Sequence, residues 1–142
     1  DFLMIRNFHP QRMPMGDVYQ PDATAERLLQ DHYLAYPDMD ASPTKVFVMQ
    51  HRETHRKYFD FAFARRPEFE LYDLRRDPDQ IHNVALDARY TIELGRLTGW
   101  LMGALEDTGD PRVVGEGDAF DRKPFVDPDF VPPPKKKKIL KF

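Results

Sequence analysis

The chain has 142 residues, 41% of them hydrophobic and 13% aromatic with 11 phenylalanines, which suffices for one packed core and leaves no room for two ordinary ones. It contains no cysteine, so disulfides, zinc knuckles and thiol nucleophiles are excluded together. Its net charge of -3 conceals five lysines in the last eight positions; residues 1–134 carry 16 basic against 24 acidic side chains, which offers no generic nucleic-acid surface. No apolar run approaches the roughly 18 residues that cross a bilayer.

Phe2 to Phe8 (FLMIRNF) is aromatic and aliphatic up to His9-Pro10, where proline withdraws a ladder donor, and this predicts a strand. The stretch from Gln11 to Ala23 contains Pro14, Gly16, Asp17, Pro21 and Asp22 and reads as a loop. Helix formers from Thr24 to about Tyr33 predict a short helix, with Thr24 or Asp22 as its cap. Ser42-Pro43 is a cap hydroxyl ahead of a proline at the first helical position. It predicts a helix to about Arg52, against the strand preference of Val46-Phe47-Val48. A further helix from about Thr54 to Arg65 sets Phe59 and Phe63 four apart and ends at Arg66-Pro67.

Glu68 to Arg75 alternates with period two, as a strand with one mostly apolar face. Asp77-Pro78-Asp79 is a turn. From Asp87 to Asp107 the residues Tyr90, Leu94, Leu97, Leu101 and Leu105 form an apolar stripe with Trp100 beside it, the clearest helix of the chain. Gly109 supplies its stop and Pro111 bars continuation. After Arg112 the composition turns proline-rich, then lysine-rich, and predicts an extended segment with a mobile end from about Phe130. The fold class expected from these elements is α+β: a small antiparallel sheet, a long amphipathic helix packed on one face and an extended C-terminal tail.

Several constellations can be weighed for chemistry. Ser42, the only serine, precedes proline and fits no G-x-S-x-G elbow. Gly115-Glu116-Gly117 is no dinucleotide fingerprint, and no Walker sequence occurs. His51 and His55 stand four apart, yet Arg52, Glu53 and Thr54 between them do not make H-E-x-x-H, and a solvated helix surface is the favoured reading. Asp73, Asp77 and Asp79 resemble alternating calcium ligands, but Pro78 breaks the spacing and no terminal glutamate follows, so a turn with a capping aspartate is favoured. His82 is assigned to the same turn. The PPPKKKK of residues 132–138 resembles an import or polyanion patch and reads more simply as a solvated terminus, with Ile139, Leu140 and Phe142 able to pin it to a neighbouring surface.

Arg66-Pro67-Glu68-Phe69-Glu70-Leu71-Tyr72-Asp73-Leu74, continuing through Asp77-Pro78-Asp79 to Asn83-Val84-Ala85, resembles the C-terminal subdomain of type I sulfatases of the alkaline phosphatase superfamily. Those enzymes carry R-P-x-x-E-L-Y-D-L, D-P-x-E and N-L-A before a long helix. Ile5-Arg6-Asn7-Phe8-His9-Pro10, with Arg12, Pro14 and Gly16 following, is similar to the strand and loop that open that subdomain in bacterial members related to sulfamidase. Ser42-Pro43-Thr44 and Thr108-Gly109-Asp110-Pro111-Arg112 fall in the family's order. Gln80 replaces an acidic residue and Val84 a leucine.

The resemblance covers about residues 1–125, leaving 126–142 as a Pro/Lys-rich tail, and it implies a fragment of a longer enzyme, as does a first residue that is Asp1 rather than Met. It implies a hydrolase of sulfate esters or N-sulfates whose formylglycine nucleophile and calcium belong to an upstream catalytic domain of the same parent chain, so that this chain alone is inactive and has no catalytic or metal residues of its own. The partners it implies are that domain and a sulfated small molecule or glycan, with no nucleic acid and no membrane; a periplasmic or extracellular place is suggested by the family alone. His9 and Arg12, in the loop after the first strand, are the candidate substrate-binding residues, because imidazole and planar guanidinium donors make short charge-assisted bonds to sulfate oxygens. The opposing view is that Arg6 and Asn7, and with them His9 and Arg12, only satisfy strand-edge and turn groups. The competing function is a noncatalytic module that binds protein or polyanion through exposed aromatics and the lysine tail.

Overall fold

A computed structural model describes residues 1–117 of the chain. They hold two strands, β1 (Phe2–Arg6) and β2 (Phe69–Asp73), and five helices: α1 (Ala25–Gln30), α2 (Pro43–Gln50), α3 (Arg56–Phe63), α4 (Thr91–Asp107) and α5 (Pro111–Val114). The class is α+β, with a two-stranded antiparallel sheet and one long helix. The chain divides into two units, residues 1–99 and 100–142. The segment read as the Pro/Lys-rich tail, 126–142, lies outside the described residues.

In the first unit, local chemistry sets the helix starts. Thr24 accepts a hydrogen bond from the Arg27 amide at 3.4 Å, and Ser42 accepts one from the Lys45 amide at 3.1 Å with Pro43 following. The cap therefore prevails over the β-branched preference of Val46 and Val48. The helical pattern expected up to Tyr33 is interrupted at Asp31, which caps a single 3-10 turn, His32–Leu34, by accepting from the Tyr33 amide at 3.0 Å. These pieces close on Leu28, Leu34, Ala35, Tyr36, Val46 and Phe63, with the rings of Tyr36 and Phe63 stacked at 4.3 Å. Burying a large apolar side chain stabilises by about 1.5–3 kcal/mol. This cluster is consequently the principal core of the unit.

Two features keep that core in shape. Tyr36 adopts φ +48°, and its carbonyl accepts from the ammonium of Lys45 at 2.9 Å; the same nitrogen reaches Met39 O at 2.7 Å and His32 O at 3.5 Å. Gly16 sits at φ +81° against Pro37, where a β-carbon would lie 2.7 Å from Pro37 Cδ. Glycine is required there both by conformation and by space.

The strands pair with Leu3 opposite Tyr72 and Ile5 opposite Glu70. β2 departs from the expected single apolar face: Glu70, Leu71, Tyr72 and Asp73 are all buried. Both faces are covered: Tyr72 donates to Glu70 at 2.6 Å on one and Tyr90 to Asp73 at 3.3 Å on the other, so neither carboxylate is buried without a partner.

The long helix is preceded by a 3-10 turn, Ala88–Tyr90, capped by Asp87. It meets the sheet at its N-terminal end, where the Tyr90 ring stands edge-on to Phe2 at 6.0 Å and Leu94 shares an apolar cleft with Phe69 and Pro67. The stripe lies at the expected positions and is the least exposed face of the helix. It is half-buried along its length, however, no residue of α4 is fully buried, and Trp100 is 72% exposed. The buried stripe expected from periodicity is corrected to a half-covered one, since periodicity fixes which face is apolar and not what covers it.

In the second unit, Thr108 donates to the carbonyls of Ala104 and Leu105 at 3.0 and 3.1 Å, and Gly109 turns at φ +67°. Asp110 then caps α5, which Gly115 ends at φ +98°. The extended conformation expected after Arg112 is thus corrected at its start, because Pro111 in the first position of a newly capped helix initiates a turn instead of barring one.

Candidate functional site

The loop after β1 is positioned from the sheet upward. Asn7 ends the strand: its amide donates to Glu68 O at 2.8 Å, and its side-chain nitrogen donates to Pro67 O at 2.7 Å and to Glu70 Oε1 at 2.9 Å. The other oxygen of Glu70 accepts the Tyr72 phenol. Burial first, then the hydrogen bond to the Glu70 carboxylate and its charge, push the Tyr72 phenol up to about 12. Arg6 lies over the rings of Phe8 and Phe69 at 4.8 and 5.4 Å and pairs with Glu68 at 3.7 Å. Two of the four donors grouped at this end, Arg6 and Asn7, therefore have structural work.

The other two, His9 and Arg12, stand in one turn, closed by the Arg12 amide donating to His9 O at 3.0 Å. His9 is half-buried, with Nδ1 3.4 Å from Gln11 Nε2; Arg12 is exposed. The backbone brings the pair together at the exit of β1. A cleft of about 550 Å³ lies on the sheet's polar side, lined by Ile5, Phe61, Arg66, Glu70, Tyr72 and Asn83 among others. Imidazole and guanidinium donors in a short turn can bind an anion, while the Ser42 hydroxyl is engaged as the cap of α2.

The acidic residues serve structure. Asp73 faces Tyr90, Arg75 and Arg76, and Asp77 accepts from the amides of Ile81 and His82 at 3.1 and 2.8 Å, which draws its carboxyl below the usual range. Among the described residues no cluster of three or more histidines and carboxylates is placed to hold a metal ion. His51 and His55 are held 5.7 Å apart by ring centroid, outside any shared helix: His51 follows α2 and stacks on Phe47 at 4.1 Å, and His55 precedes α3.

Sequence reasoning overlooked four residues. Lys45 is 2% exposed, its only hint being a lone cation within an apolar helical run. Burial lowers its pKa, and Asp40 opposes that effect. The Glu70–Tyr72 pair was visible only as half of an alternation. Asn83 accepts from the Leu71 amide at 2.9 Å and donates to Phe69 O at 3.1 Å, and an asparagine two residues before Ala85 carries no local sign of that reach. Compared with family models, with curated proteins and with solved structures, the chain gives no match.

Proposed function

We propose that the chain is the C-terminal subdomain of a type I sulfatase and that its His9–Arg12 turn completes the cleft in which an upstream domain hydrolyses a sulfate ester or N-sulfate. The observation that carries this reading is the adjacency of the segments on which the resemblance rests: the strand leading to Asn7 and His9 pairs with the E-L-Y-D strand, and Asn83 of the N-V-A segment bonds to the far side of β2. In this reading His9 and Arg12 bind and orient the anionic substrate, and the upstream domain supplies the formylglycine nucleophile and the calcium. This chain contributes no bond-breaking group. The exposure of Ile92 (87%) and Trp100 (72%) favours the second reading, a noncatalytic interaction module.

The test is the reading frame upstream of Asp1. A C/S-x-P-x-R sequence followed by sulfatase turnover of the full-length product is expected; a frame without it rejects the proposal and leaves the interaction module. In that full-length product, His9→Ala and Arg12→Ala are expected to raise KM or lower kcat/KM with the fold intact. Unchanged kinetics in both variants would remove the turn from the site.

A further inference from the structure

The sheet ends differently on its two sides. Asn7 N–H bonds to Glu68 O at 2.8 Å and Leu74 N–H to Asp1 O at 3.0 Å. In this antiparallel register the odd residues of β1 and the even residues of β2 therefore exchange the ladder bonds. Phe69, Leu71 and Asp73 turn their peptide groups to the far side of β2, and most of those groups are already taken. Asn83 takes Phe69 O and Leu71 N–H, the Val84 amide takes Leu71 O at 2.8 Å, and the amides of Arg76 and Asp77 take Asp73 O. Phe2 and Met4 turn theirs to the far side of β1, where no described residue bonds to them. Nor does β1 contain a lysine or proline to blunt that edge; its one charged residue, Arg6, stands at the end of the strand.

We propose that the edge of β1 at Phe2 and Met4, unbonded among the described residues, pairs antiparallel with β1 of a second copy of this chain, giving a continuous four-stranded sheet. The strand's own sequence argues for this occupant. With Leu3 opposite Leu3 of the second copy, Phe2 falls opposite Met4, and the outward N–H and C=O groups at both positions answer one another in two exchanged pairs. On one face an aromatic ring meets a thioether, on the other leucine meets leucine, and no like charges oppose. The pairing uses the same patch on both copies, so it closes at two and does not propagate. Because both peptide groups of Leu71 and the carbonyls of Phe69 and Asp73 are taken, the far side of β2 cannot offer a second full ladder. This inference is independent of the sulfatase reading.

The test is sedimentation of the 142-residue chain from micromolar to millimolar concentration, with residue-resolved amide exchange at both ends of that range. The weight-average mass is expected to rise toward that of a dimer, and the Met4 amide to slow at high concentration while Leu3 and Ile5, already bonded to β2, do not change. A monomer at every concentration overturns the proposal, as does a dimer in which Met4 exchange is unaltered. Met4→Pro removes an outward N–H and no bond to β2, and is expected to lower the association constant at least tenfold with circular dichroism retained. If that variant does not fold, Leu3→Lys, which sets two like charges opposite each other, is expected to do the same. Wild-type association in whichever variant folds contradicts the idea. Met4 protection in the monomer of a longer gene product would also overturn it, in favour of an intramolecular strand.

Discussion

Tyr72 is held neutral by burial and by the Glu70 carboxylate up to about pH 12, whereas an unfolded chain ionises it near 10. Its contribution is therefore complete below pH 10 and is lost as pH rises to 12. Linkage puts it at about 2–3 kcal/mol. Tyr36, raised by burial, acts with the same sign; Lys45, lowered by burial, acts with the opposite sign, its effect complete by about pH 10.5. Denaturant midpoints measured from pH 8 to 12 are expected to fall above pH 10.5, and to fall less in Tyr72→Phe. Asn83→Ala strips the Leu71 amide, in a fully buried residue, of its acceptor and should cost about 1–3 kcal/mol in the same measurement. Gly16→Ala brings a β-carbon against Pro37 at positive φ, so its loss should exceed the ~1 kcal/mol that a glycine-to-alanine change can gain at a compatible site. Neither Asn83 nor Gly16 announces such a role in sequence, because each depends on a neighbour 12 or more positions away.

Among the elements, the helix starts were legible and the burial was not. Ser42-Pro43, Thr24 and Asp87 fix their helices by bonds within three residues, a range that a sequence displays directly. Ser42→Ala should accordingly cost about 1 kcal/mol in thermal or denaturant unfolding. Asp87-x-Arg89 and Asp110-x-Arg112 are one device used twice: the aspartate caps the amide two residues on and is forked by that residue's guanidinium, which holds each carboxyl down to about 2. A lowered carboxyl contributes above its unfolded value near 4 and loses that contribution as pH falls through 2. Both pairs are exposed, so the effect should shrink in high salt. The stripe of α4 shows the opposite limit. Its spacing was readable, but how far it is covered was not, and Leu101→Ala, at a half-buried position, is expected to cost about 1 kcal/mol, less than the 2–5 of a closed core.

At the scale of the whole molecule, the α+β class followed from periodicity, and the His9–Arg12 turn was legible as a cluster of donors between prolines. Its anchoring through Asn7 to Glu70 was not, because those residues stand 63 positions apart. On the sulfatase reading, a protease-free, calcium-loaded preparation of this chain should show no turnover of aryl or sugar sulfates. Measurable hydrolysis would show that the chain holds a nucleophile of its own.

The Lys45 ammonium, closed over by the carbonyls of Tyr36, Met39 and His32, has a practical consequence for following the protein in motion. An acylating reagent in solution can attack that amine only after the segment around residues 32–39 lifts away and the nitrogen sheds a proton. Exposed Lys57 meets the same reagent directly. The ratio of the two labelling rates is then a built-in clock for opening of the larger core: it should approach unity in denaturant and rise steeply in Gly16→Ala, with no dye or foreign tag added.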